Sequence, residues 1–228
     1  MTFYSPEFNR HIHINRGNKI RRLSLKVCRV TGKITINASL YLPNSDIINF
    51  FNKNHIWISK QLINCSIPKI VDVGLTLPVE GNYYELVKRN NALKVGFLET
   101  NKICLPKNII NIGQVVQEFL IEYCRSIMIP SIVQKSNLFK KKIKKISFKD
   151  TKSRWGSCSY KGSIMLNWRL IMAPPSVYKY VIIHELSHLV HMNHGHHFWK
   201  LVGELHPNYI YDREWLHKNG QEIRKYIF

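Results

Sequence analysis

Cysteine is scarce in this 228-residue chain: Cys28, Cys65, Cys104, Cys124 and Cys158 are scattered, odd in number and form no C-x-x-C. That pattern argues against a disulfide framework and against a cysteine-ligated metal site, and fits reduced thiols in a cytoplasmic setting. Long apolar runs are missing too: none approaches the ~18 residues of a membrane span. The opening Met1-Thr2-Phe3-Tyr4-Ser5-Pro6-Glu7 lacks the charged-then-apolar order of a secretory signal. No Gly-rich phosphate loop and no magnesium-type carboxylate cluster is visible, and no internal repeat or low-complexity linker divides the chain. Acidic residues are few, 14 against 34 Lys and Arg, leaving a net charge of +20. Such a field favours polyanions, so nucleic acid is a partner the basic surface would admit. The densest run, Lys140-Lys141-Lys142-Ile143-Lys144-Lys145, reads as a solvated strand edge.

What the chain does have is histidine in one place. Six of its eleven histidines fall between His184 and His197, in H-E-L-S-H-L-V-H-M-N-H-G-H-H. The first five residues, His184-Glu185-Leu186-Ser187-His188, form H-E-x-x-H. On a helix, residues four apart are stacked about 6 Å along the axis, so both imidazoles can converge on one divalent ion. Glu185 is turned about 100° away and flanks the ion, where a general base for water belongs. Val181, Ile182, Ile183, Leu186, Leu189 and Val190 surround the motif, which makes the helix a buried one. A buried carboxylate beside two imidazoles is costly unless a cation balances it.

A catalytic zinc takes three protein ligands and keeps one open position. His191, His194, His196 and His197 are candidates for the third. His191 would lie about 10 Å along the axis from His184 if the helix continued. His194 sits between Asn193 and Gly195, residues suited to ending a helix and swinging the ring back, and ranks first on that geometry. His196 and His197 open the next helical pattern, Phe198, Leu201, Val202, Leu205.

Hydrophobic content of 45% is ample for a core. Residues 1–108 read as a β-rich N-terminal region and 109–228 as a metal-dependent hydrolase domain, with Pro106-Lys107-Asn108 marking the boundary. Alternation predicts a hairpin near 20–39, strand positions for solvent-facing His11 and His13, and a second hairpin from Tyr83–Lys88 and Leu93–Phe97 joined by Arg89-Asn90-Asn91. Helical spacing follows from Pro43 to Leu62, and again from Ile112, where Pro130 kinks or ends the helix. Strand-like segments at Lys144–Lys149 and Ser163–Trp168 flank a loop at 153–159, before Ala173-Pro174-Pro175-Ser176 opens the metal helix. The fold class is α+β: the metal helix is backed by a second helix and covered by a small antiparallel sheet.

Arg154-Trp155-Gly156-Ser157-Cys158-Ser159, Leu166-Asn167-Trp168-Arg169-Leu170, Ala173-Pro174, Tyr180 to Leu189, Asn193-His194 and Phe198-Trp199 occur in that order. Together they resemble the YgjP-like metallopeptidase family, a zincin group related to the SprT and WLM proteins. Gly81-Asn82-Tyr83-Tyr84-Glu85-Leu86 extends a looser resemblance into the first half. The resemblance implies a zincin-like fold with Zn2+ held by His184, His188 and His194, Glu185 as catalytic base, and a peptide or protein substrate. The strand Ser163–Trp168 is expected to pair with an extended substrate as an edge strand. Arg154, Tyr178, His206 and Tyr209 are candidate oxyanion donors. Two rival readings are a metal-dependent nucleotide phosphoanhydride hydrolase and a basic nucleic-acid-binding protein with a structural zinc. The sequence leaves the oligomeric state open.

Overall fold

The computed structural model describes residues 2–28, 31–63, 68–98, 101–139 and 141–228. Cys65 and Lys140 lie outside these described residues. Two compact units emerge, Met1–Lys69 and Ile70–Phe228.

In the first unit, β1 (Thr2–Ser5), β2 (Arg10–Gly17), β3 (Ser24–Val27) and β4 (Ile34–Ser39) form one sheet in the order β1-β2-β4-β3. Strand alternation sends Ile12, Ile14, Ile34, Ile36 and Ala38 to one face. There they are buried with Ile47 and Phe51 of α1 (Asn44–Lys53) and Ile58 of α2 (His55–Ile63). The expected hairpin near 20–39 is the antiparallel β3–β4 pair. The helix expected from Pro43 to Leu62 is two helices. The Asn54 side chain donates to the Phe50 carbonyl at 2.7 Å where α1 ends.

The second unit follows β5 (Lys69–Ile70) and is α+β. Its larger sheet contains β6 (Thr76–Val79), β7 (Asn82–Arg89), β8 (Gly96–Leu98) and β9 (Lys102–Pro106), in the order β6-β7-β9-β8. The expected pairing of Tyr83–Lys88 with Leu93–Phe97 does not form, because β9 lies between them, parallel to β7 and antiparallel to β8. The β7 hairpin closes earlier, through Glu80 and Gly81, whose φ values of 49° and 81° give the primed turn that suits strand twist.

Next come α3 (Ile112–Ser136), β10 (Lys145–Lys149), β11 (Gly156–Cys158) and β12 (Ser163–Asn167). Pro130 lies inside α3 without ending it, and Val116, Leu120, Cys124, Met128 and Ile132 bury one stripe. The small sheet runs β10-β12-β11, with β10 parallel and β11 antiparallel to β12. It is therefore mixed rather than antiparallel, and Ser163–Asn167 is its central strand, not an edge. The edge beside the metal helix is β11, inside the segment read from sequence as a loop. A 3-10 turn at Trp168–Met172 leads to α4 (Pro175–Ser187), α5 (His196–Leu205), α6 (Tyr209–Arg224) and β13 (Tyr226–Ile227).

The chain end is held by Arg169. Its guanidinium donates twice to Asp150, at 2.9 Å each, and once to the Tyr226 carbonyl at 2.9 Å. It also sits over the rings of Trp168 and Phe228. Among the described residues no helix is long and apolar enough to cross a membrane, and no disulfide forms.

Leu77, Val79, Leu86, Ile103 and Leu105 share one core with α3 and α4. These strands, assigned from sequence to the region 1–108, thus belong to the unit that carries the metal helix. Removing these five buried side chains forfeits roughly 10 kcal/mol, at about 1.5–3 kcal/mol each, comparable to the ~5–15 kcal/mol that stabilises a domain. A chain of residues 68–228 should therefore unfold cooperatively on heating. A chain of residues 109–228 should show no cooperative transition, as followed by circular dichroism. A native-like transition in the shorter chain would refute this account of the core.

Candidate metal centre

Pro174 and Pro175 open α4, where a missing N–H costs nothing. From there Val177, Tyr178, Tyr180, Val181, Ile182, Ile183, Glu185, Leu186 and Ser187 are all buried. A helix apolar nearly all round belongs in a core, and α4 packs against α3, α5, α6 and β11. It ends at Ser187, well before Asn193 and Gly195. The Val190 and His191 N–H groups fold back onto the Ser187 carbonyl at 3.0 Å each. Lys141 Nζ donates to the Leu189 carbonyl, so part of the lysine run caps this bend instead of lying free in solvent.

The early bend places His188 at the helix end. The short return from Leu189 to His194 then brings a third ring onto the first two. Ring centroids lie 5.1 Å apart for His184 and His188, 5.0 Å for His184 and His194, and 4.7 Å for His188 and His194. One nitrogen from each ring falls within 4.8 Å of the others. The Nε2 atoms of His184 and His194 are 3.1 Å apart, close to the ~3.4 Å expected of two nitrogens on one tetrahedral zinc. Beneath all three stands Phe198 of α5, fully buried, its ring 5.0, 4.6 and 4.8 Å from those of His184, His188 and His194. His191, His196 and His197 form a separate group, with ring centroids 6.0 Å (His191–His197) and 5.7 Å (His196–His197) apart.

Protonation suits ligation. Burial lowers the His184 pKa to about 3, helped by His188 and His194, so the ring is neutral. Burial also lowers that of His188, whose Nδ1 donates to the His191 carbonyl at 3.1 Å, directing its Nε2 lone pair away from that bond. His184 Nδ1 is buried without a hydrogen-bond partner among the described residues. Two rings meeting nitrogen to nitrogen, with a third alongside, are a donor set that a divalent cation fits.

Glu185 is 5% exposed, and burial pushes its carboxyl pKa up to about 8 against the opposing pull of Arg154. Strand β11 crosses directly over it. A Cβ at Gly156 would stand 2.4 Å from Glu185 Oε1, so only glycine lets the strand and the carboxyl occupy this space. This role of Gly156 is not visible from sequence, because nothing local says which side chain the strand will cross.

Residues 21–219 match the family model described as YgjP-like, metallopeptidase domain. The chain belongs to the YgjP-like metallopeptidase family. No curated protein and no solved structure gives a match. In this YgjP-like chain, membership and the three-histidine cluster together point to a metal ion.

The candidate oxyanion donors separate on position. The Tyr178 hydroxyl donates to Glu80 at 2.8 Å, as does Tyr123 at 2.7 Å, which ties α4 and α3 to the turn between β6 and β7. His206 is paired with Asp212 at 2.6 Å, and Tyr209 stacks on Trp199. Arg154 alone acts electrostatically on Glu185. Sequence reading passed over Tyr180, 5.8 Å from His184 between ring centroids, and Arg213, whose charge helps depress His184. Trp155 packs on Gly220, where a Cβ would come within 2.8 Å, and under the Arg224 guanidinium at 4.0 Å.

A pH dependence follows. Unfolded, Glu185 titrates near 4.5; folded and without metal, near 8. Below the lower value both states are protonated and the group is silent. Between the two, the unfolded chain is ionised while the fold retains its proton, so stability falls as pH rises, levelling off above 8. At ~1.4 kcal/mol per pH unit the full cost is at most about 5 kcal/mol. In protein stripped with chelator, Glu185→Gln should match wild type in Tm near pH 4 and exceed it progressively toward pH 8. Equal melting temperatures at pH 8 would show that the carboxyl is not buried as described.

Proposed function

We propose that this chain is a zinc-dependent peptidase in which His184, His188 and His194 hold the ion and Glu185 is the general base. The observation that carries the reading is the convergence of three ring nitrogens within 4.8 Å beside a buried carboxyl. Three imidazoles match the ligand count of a catalytic zinc, with a fourth position left for water or substrate. When bound, the ion supplies Lewis acidity, lowering the pKa of water from 15.7 toward ~7 and polarising a carbonyl. Beside that charge Glu185 is held ionised, the opposite of what burial alone does to it.

Glu185 then accepts a proton from the attacking water on a carboxylate oxygen and delivers it to the departing amine. Strand β11 would hold the substrate. On either side of it, the Trp155 carbonyl and the Ser159 N–H bond toward β12. By the alternation of antiparallel ladders, the backbone groups of Gly156 and Cys158 face the outer edge. An extended peptide added there runs past Glu185, the carboxyl lying directly under Gly156. Arg154, at the start of that edge and acting on Glu185, is the donor best placed to steady developing negative charge.

Metal analysis and a proteome-derived peptide library test the reading together. Wild type should hold about one zinc per chain and cleave peptides. Glu185→Gln should keep the zinc and lose about 10²–10⁴-fold in turnover, while His194→Ala should lose the metal. Unchanged turnover in Glu185→Gln, or phosphate release from nucleotides with no peptide cleaved, would overturn it.

Gly156→Ala isolates the strand from the ligands. The added methyl displaces Glu185 or the edge strand by about 1 Å, a scale of error that costs roughly 10²-fold in rate. Zinc content should stay at the wild-type level. Wild-type turnover in this variant would remove β11 from the mechanism.

A further inference from the structure

The sheet of the first unit has two faces, and among the described residues of that unit only one is covered. Helices α1 and α2 pack on the isoleucine face. On the other, strand alternation places His11, His13 and Asn15 of β2 beside Thr35 and Asn37 of β4. Tyr4 of β1 is the cross-strand partner of His11, their rings 5.3 Å apart edge to face, and Tyr4 is 49% exposed. Three π surfaces, those of Tyr4, His11 and His13, therefore adjoin one another on an open face. Next to them runs a ladder of hydrogen-bonding side chains. Asn15 donates to Asn37 at 3.1 Å, and Asn37 donates to Ser24 at 3.1 Å.

The charge on this face is of one sign. Lys26 and Lys33 flank it, both exposed, and no Asp or Glu lies on it among the described residues. Across residues 1–69 there are eleven Lys or Arg and two acids. Glu7 is in the turn after β1, and Asp46 is on α1, on the covered side. A sheet face built merely for water commonly pairs opposite charges across its strands. Here the His13 pKa is lowered instead, by desolvation first and then by the charges of Lys33 and His11 crowding the ring.

Aromatic rings for stacking, amides for base edges, and cations without counter-charge suit one class of ligand. We propose that this open face binds a single-stranded polynucleotide. Single strands offer unstacked bases that rings can engage, whereas a duplex hides them. The phosphates meet Lys26 and Lys33 at the margins. The proposal does not rest on the metal site, which belongs to the second unit.

The test uses the full chain and two fluorescein-labelled single-stranded probes, a 20-mer of uridylate and a 20-mer of thymidylate, with a labelled DNA duplex of the same length as control, read by fluorescence anisotropy at 50 and 200 mM KCl. Binding should weaken with salt, and the two probes show whether RNA, DNA or both are accepted. Tyr4→Ala with His11→Ala should weaken binding about tenfold or more, since each stacked base contributes ~1–3 kcal/mol. Lys33→Glu should weaken it and lower the log–log salt slope by about 0.7, the share of one phosphate contact on a single strand. Lys142→Glu with Lys144→Glu, in the separate basic groove lined also by Tyr160 and Lys161, should leave binding unchanged. All these side chains are exposed or marginal, so unchanged Tm checks folding. No binding at 50 mM KCl would overturn the proposal. So would affinity that falls only with the Lys142 and Lys144 changes, or a duplex bound as tightly as either single strand.

Discussion

A buried carboxyl and the partly buried imidazoles of His184 and His188 stand at the end of α4 with the exposed ring of His194 beside them, and the cost of keeping charge there shapes what surrounds them. Desolvation drives Glu185 toward its acid and His184 toward its base, so both groups shed their charge in the bare protein. A divalent ion resolves both tendencies at once. It takes neutral imidazole as a ligand, and its charge compensates an ionised glutamate close by. Burial that would be a liability for an ordinary surface glutamate is, in this position, what makes the group responsive to a cation.

The packing serves the same end. Phe198 gives the three rings a common support from the core side, while His194 stands on the exposed side of the cluster. Above Glu185, β11 is held close because Gly156 has no side chain, and β11 is itself positioned by Trp155 against Gly220 and Arg224. The helix is fixed from its other end by Tyr178 and Glu80, and Glu80 takes a second phenol from α3. Arg169 ties the chain terminus to the turn before α4. Apart from those of Phe198, these contacts join segments far apart in sequence, so local propensity alone would not hold the site in register.

That distance also explains what the sequence could and could not disclose. H-E-x-x-H needs only helical periodicity to be read, and the alternation in β2 and β4 is equally local. Pairing partners are different. The strands Tyr83–Lys88 and Leu93–Phe97 looked like a hairpin because they are adjacent, yet β9 inserts between them, and parallel pairing leaves no turn signature. Strand β11 is Gly-Ser-Cys, three residues with little β preference, so it read as loop until β12 was there to pair with it. Helix α4 stops at Ser187 without glycine or proline, its last carbonyls taken by N–H groups of the bend, and the bend's own Leu189 carbonyl accepts from Lys141, which comes from another part of the chain. His194 was named from an expected turn at Asn193 and Gly195, whereas the chain bends earlier, at Ser187, and the return from Leu189 to His194 brings its ring beside the other two.

The excess of positive charge and the metal site are physically separate matters. Surface charges more than a Debye length of ~8 Å away are largely screened at physiological salt, so most lysines of the chain exert little on Glu185. Of the described Lys and Arg side chains, only Arg154 has a resolved influence on that carboxyl, and only Arg213 on His184. The site is therefore tuned by desolvation, which salt does not touch. In the proposed reading, polynucleotide binding would weaken with salt, whereas the desolvation that tunes Glu185 would not.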